Sequence, residues 1–136
     1  MRAEITLSCS LKSLEGLRAF CSKTLLGWGL PESVSENLTL ALDEACTNAI
    51  KHGHSCNPKE NIIVVLERTK GSVLFKINEI GALPKNLAGH ISKPISELVK
   101  QRKKGGLGLK LMYKIMDDVR FVTKNGTNSC LMVKNI

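Results

Sequence analysis

Residues 40–53 read LALDEACTNAIKHG, an apolar segment that carries one carboxylate, Glu44, and one carboxamide, Asn48, four positions apart. A buried face tolerates such groups only where their hydrogen bonds are satisfied. Two readings are open for the pair. In one, it is a solvated i,i+4 neighbour set, with Asn48 bonded to a nearby loop. In the other, the carboxylate takes a proton from a hydroxyl or water, and the carboxamide oxygen binds Mg²⁺.

The stretch ends a longer helical pattern. Pro31 suits a first helical turn, and Val34, Leu38, Ala41, Ala45 and Ala49 then form one apolar stripe that Gly53 closes. At about 100° per residue, Asn37, Glu44, Asn48 and Lys51 fall on a shoulder of that stripe, where polar groups border a cleft.

Upstream, AEITLSC alternates Ala3, Ile5, Leu7 and Cys9 on one side, the pattern of a half-buried strand. Leu11, Leu14, Leu17, Cys21 and Leu25 predict a helix that stops at Gly27 and Gly29. Downstream, NIIVVLER and SVLFKIN flank TKGS as an antiparallel hairpin. Residues 79–104 hold two prolines and read as a mobile connector or lid, with a short helical stretch at 95–101. GGLGLKLMYKIM returns to helical spacing, with Leu107, Leu111 and Ile115 on one side beside Met112 and Met116. VRFVTKNGTNSCLMVKN gives two strands around Asn125-Gly126. The sum is an α+β two-layer sandwich, a mostly antiparallel sheet with helices on one face.

The chain of 136 residues, 43% of them hydrophobic, fits one domain over 1–136 that buries roughly two-thirds of its unfolded surface. No apolar run reaches the ~20 residues of a membrane span, and MRAEITLSCS lacks a leader pattern, so a soluble cytoplasmic protein is expected. The five scattered cysteines form no C-x-x-C and read as reduced, mostly buried thiols. His52, His54 and Cys56 could ligate a metal, but their spacing matches no zinc pattern, and a helix-end loop is the other reading.

A formal net charge of +8 favours acidic partners or nucleotides. Trp28, Tyr113, Phe20, Phe75 and Phe121 are dispersed, which argues against a single-strand stacking platform, and a nucleic-acid binder rests on the charge alone, without a recognition motif. The densest charge, KQRKKGG at 100–106, runs into Gly105, Gly106 and Gly108 at a helix start, where free N–H groups favour an anion. It is not a P-loop, because Leu111 follows Lys110.

The order of these pieces resembles the N, G1 and G2 boxes of the GHKL ATPase superfamily, and within it the anti-sigma factor serine kinases of the RsbW and SpoIIAB type. The pattern L-A-x-x-E-A-x-x-N-A-x-x-H-G is kept without a gap. The resemblance implies a left-handed βαβ sandwich (the Bergerat fold) around ATP and Mg²⁺. It implies that Glu44 is general base toward a serine hydroxyl, that Asn48 is the Mg²⁺ ligand, that Gly106 and Gly108 lie along the triphosphate, and that Thr127 lies near the adenine pocket. It further implies a commonly dimeric protein that holds a sigma factor and phosphorylates a serine on a small STAS-type anti-sigma factor antagonist. Arg102, Lys103 and Lys104 could neutralise phosphate charge, or form a solvated basic loop.

The G1 box departs from the family's D-x-G: the chain has Asn78-Glu79-Ile80, with Gly81 one place late. The resemblance then makes Asn78 an uncharged acceptor for the base amino group, at a cost of about 1–2 kcal/mol or roughly ten-fold in affinity, with Ile80 adding bulk beside the pocket. Weakened ATP binding, altered nucleotide preference and an ATP-independent binding module that keeps the fold all remain open.

Overall fold

A computed structural model describes residues 1–52, 60–80, 91–93, 106–124 and 127–136. The readings placed on Gly53, His54, Cys56, Gly81, the stretch 95–101, Arg102, Lys103, Lys104 and Asn125-Gly126 lie outside the described residues.

Strand β1 (Arg2–Ser8) leads through a single 3₁₀ turn (Leu11–Ser13) into helix α1 (Leu14–Gly27). Helix α2 (Glu32–His52) follows, then β2 (Asn61–Arg68) and β3 (Ser72–Ile80). A short β4 (Ile91–Lys93), α3 (Gly106–Ile115), β5 (Asp118–Lys124) and β6 (Thr127–Asn135) complete the order. The six strands form one sheet in the order β1-β2-β3-β6-β5-β4, and every pairing is antiparallel.

Register divides the sheet into two faces. One row across it is Ala3, Leu66, Phe75, Met132 and Val119; the next on the same face is Ile5, Val64, Ile77, Cys130 and Phe121. Nearly all of these join a core with Leu17, Cys21 and Leu25 of α1, Leu38, Leu42 and Cys46 of α2, and Met112 of α3. The helices therefore cover one face, the architecture expected from the sequence. Val65 is buried on the other face and belongs to no part of that core. Burial of this kind contributes roughly 1.5–3 kcal/mol for each large side chain.

The end of α1 is specified locally. The Leu30 amide donates to the Leu25 carbonyl at 3.2 Å and the Gly29 amide to Leu26 at 3.0 Å, with Gly29 at φ 84°. This is a Schellman cap, in which glycine takes the left-handed turn that a side chain resists. The Arg68 guanidinium donates to the Trp28 carbonyl and ties β2 to the same cap.

Three expectations change. Leu11 is exposed in the 3₁₀ turn rather than part of α1, because Ser10 Oγ accepts from the Lys12 amide at 3.3 Å and Ser13 Oγ donates to the Ser8 carbonyl at 2.9 Å. Residues 91–93 of the expected connector are a strand paired with β5. Cys9 is disulfide-bonded, against the reading of thiols alone, whereas Cys21, Cys46 and Cys130 are buried thiols outside any disulfide.

Both chain ends meet the β2–β3 turn. The Arg68 amide donates to the Met1 carbonyl and the Ile136 amide to the Gly71 carbonyl, each at 2.9 Å.

Candidate functional site

Helix α2 puts Glu44 and Asn48 on one side, one turn apart. Asn48 is only 8% exposed, and its Nδ2 donates to the Met112 sulfur on α3 at 3.7 Å. A thioether is a weak acceptor, so this contact orients the carboxamide more than it stabilises the fold. It also latches α2 to α3, and thereby brings the N-box segment against the helix that the glycine turn opens. The carboxamide oxygen keeps the acceptor chemistry that a hard cation requires, so the residue present fits Mg²⁺.

The acidic pair Asp43-Glu44 divides in role. Asp43 pairs with Arg18 of α1 at 3.0 Å, and its carbonyl accepts from Thr47 Oγ1 at 2.7 Å. Glu44 is half-buried and has no hydrogen bond or ion pair among the described residues. Among the described residues, one carboxylate is thus held by an ion pair and its neighbour is not. Gly106 and Gly108 lie in the first turn of α3, where unpaired N–H groups and the dipole favour a phosphate.

Asn78 is not brought to this group. It pairs in register with Ile63 and Ser129, on the face opposite the helices, and its Oδ1 accepts from Ser129 Oγ at 2.6 Å. Thr127 shares that parity, opposite Ile80 and Lys124. The core-facing parity of β3, set by Val73, Phe75 and Ile77, continues instead at position 79. Glu79-Ile80-Gly81 also has the D-x-G spacing in sequence, with glutamate in the first place.

Sequence reasoning missed Met112 as the partner of Asn48 and Ser129 as that of Asn78. No local signal carries either contact, since each joins residues more than fifty positions apart. Strand parity was the available clue for position 79, because counting back by twos from Gly81 meets the apolar run at Ile77, Phe75 and Val73.

A helical layer on an antiparallel sheet, with an N-box helix latched to a glycine-led helix, defines a class of nucleotide-associated folds. The chain belongs to the histidine kinase-like ATPase domain family, which matches residues 7–134. Within it the chain is similar to the serine-protein kinase RsbW of Bacillus cereus (strain AH820), 30% identical over 103 residues that cover 74% of this chain. The same similarity holds to the protein of that name from Bacillus anthracis (strain A0248). The match spans 64% of the length of these relatives. The crystal structure of the RsbU and RsbW domains of a Mycobacterium tuberculosis protein has the same fold. Its TM-score is 0.70 at 18% identity, over 98% of this chain and 31% of that one.

Among the described residues, no helix is long and apolar enough to cross a membrane, and no group of three or more potential metal-ligating side chains occurs.

Proposed function

We propose that this chain, as a single domain over residues 1–136, is an anti-sigma factor and a serine-protein kinase that uses MgATP in the cytoplasm. Its partners are a sigma factor, which it holds inactive, and a STAS-type antagonist, on which it phosphorylates a serine; it works as a homodimer. The observation that carries the reading is Glu44, without an ion pair among the described residues, one turn from Asn48, with Asn48 latched to α3 through Met112.

Bound MgATP supplies the phosphoryl group, and transfer of that group depends mostly on positioning and charge neutralisation. Glu44 accepts the proton of the incoming serine hydroxyl. The Asn48 oxygen holds Mg²⁺, and the first N–H groups of α3 face the phosphates together with Gly106 and Gly108. Glu79 replaces Asn78 as the acceptor for the base amino group. That assignment restores a charged acceptor and favours ATP use over the ATP-independent binding module.

Incubation with labelled MgATP and the candidate antagonist is expected to label a serine on that partner. Titration calorimetry is expected to show saturable, Mg²⁺-dependent ATP binding. Absence of label, or a Glu44→Ala variant as active as wild type, overturns the kinase reading; absence of ATP binding leaves the binding module.

A further inference from the structure

The strands that follow α2 and α3 run in opposite directions in the sheet, so the two helices are antiparallel neighbours, with axes about 8–10 Å apart. The Asn48–Met112 contact fixes the level at which they meet. From that level Glu44 on α2 and Lys114 on α3 lie in the same direction, each within about one turn.

Met112, and Met116 just past the end of α3, turn inward at 0% and 4% exposure. Lys110, Tyr113 and Lys114 occupy the opposite half of the helix and are exposed, Tyr113 to 61%. Neither lysine forms an ion pair among the described residues, although acids lie close in sequence. Asp117 is taken by Lys134 at 3.7 Å and by the Asn135 amide at 2.6 Å, and Asp118 by Arg120 at 2.9 Å. The fold leaves two uncompensated positive charges beside an exposed ring, one helix away from the carboxylate proposed as base.

An extended chain advances about 3.3 Å per residue, so a segment whose serine hydroxyl meets Glu44 crosses the axis of α3 about three residues further on. Lysines there attract carboxylates and speed the encounter, and tyrosine is a frequent anchor of protein interfaces.

We infer that Lys110, Tyr113 and Lys114 form the docking face for the serine-bearing partner, and that they select a segment with aspartate or glutamate about two to four residues from the serine. The inference names the substrate class of the site proposed above and rests on that kinase reading. The lysines supply the discrimination, and Tyr113 supplies contact area common to every segment.

The test is fluorescence anisotropy of the full chain with MgATP and two labelled serine peptides, one with aspartates at those positions on both sides of the serine, the other with asparagines in their place. Wild type is expected to bind the aspartate peptide about ten-fold more tightly, by a margin that narrows with added salt. Lys110→Glu combined with Lys114→Glu is expected to abolish the margin, whereas Tyr113→Ala weakens both peptides alike and keeps it. Lys12→Glu combined with Lys23→Glu makes the same change of charge on the 3₁₀ turn and α1, where both side chains are exposed, and is expected to keep it too. Melting curves check that each variant folds. A wild-type chain that does not tell the two peptides apart, or an equal loss from the two double variants, overturns the inference, since overall charge then accounts for the binding. Titration calorimetry with MgATP separates the two levels. A wild-type chain that binds no MgATP overturns the kinase reading, and one that binds MgATP without distinguishing the peptides overturns the docking face alone.

Discussion

Glu44 and Asp43 are adjacent in sequence and differ in what holds them. The Arg18–Asp43 pair is partly exposed and contributes well under about 1 kcal/mol, so its effect is to bind Asp43 to α1 rather than to stabilise the fold. Under the proposed function, Glu44→Gln keeps the shape and removes the base. Phosphoryl transfer to the antagonist is expected to fall roughly 10²- to 10⁴-fold in kcat, with ATP affinity within a factor of two by calorimetry. Cys21 gives a second prediction at this scale. Burial pushes its thiol up from 9.0 to about 11, although the Thr39 hydroxyl, which donates to the sulfur at 3.4 Å, pulls the other way. The native state then keeps a proton that the unfolded chain releases above pH 9. This contribution to stability is intact below pH 9 and is lost as pH rises toward 11. Urea unfolding at pH 7 and pH 10 should show wild type losing about 1 kcal/mol more than Cys21→Ala.

At the scale of elements, α1 and the cap that follows it hold glycines with opposite expected behaviour. Gly29→Ala forces a side chain into the left-handed region at φ 84° and should cost about 1–2 kcal/mol. Gly16→Ala, within α1 and with open space around an added methyl group, should instead stabilise by about 0.5 kcal/mol. Denaturant midpoints of the two variants check both signs. The helices and long strands were legible in the sequence because each repeats its own period, and the stop at Gly27 and Gly29 was legible because only glycine fits that cap. Strand β4 was not, since Ile91-Ser92-Lys93 is too short to show a period and its partner Phe121–Thr123 lies about thirty positions away. Leu11 kept the helical spacing, but serine side chains captured the backbone ahead of it. At the site, spacing placed Glu44 and Asn48 on one shoulder of α2 and the glycines at the start of α3, whereas the register turns Asn78 to the face opposite the helices. The run NIIVVLER is apolar on both faces, which hides the parity that the register reveals across β2 and β3.

For the whole molecule, the central pairing of β3 with β6 joins residues about fifty positions apart, and it carries both the core and the position of Glu79. Nucleotide binding, as proposed, should therefore be felt globally. MgATP at a hundred times its dissociation constant is expected to add about 2.7 kcal/mol and to raise Tm by several degrees, and EDTA should remove most of the gain. A thermal melt with ATP, with MgATP and with MgATP plus EDTA measures this directly.

The meeting of both chain ends at the β2–β3 turn has a topological consequence. Met1 and Ile136 flank the same four-strand stretch, β1-β2-β3-β6, and so stand about three strand spacings apart, roughly 14 Å. Roughly six to eight flexible residues bridge that gap without strain. A chain ring-closed between these two residues should melt as one cooperative unit, so the order of the strands in the sheet, rather than the position of the two ends, defines this fold.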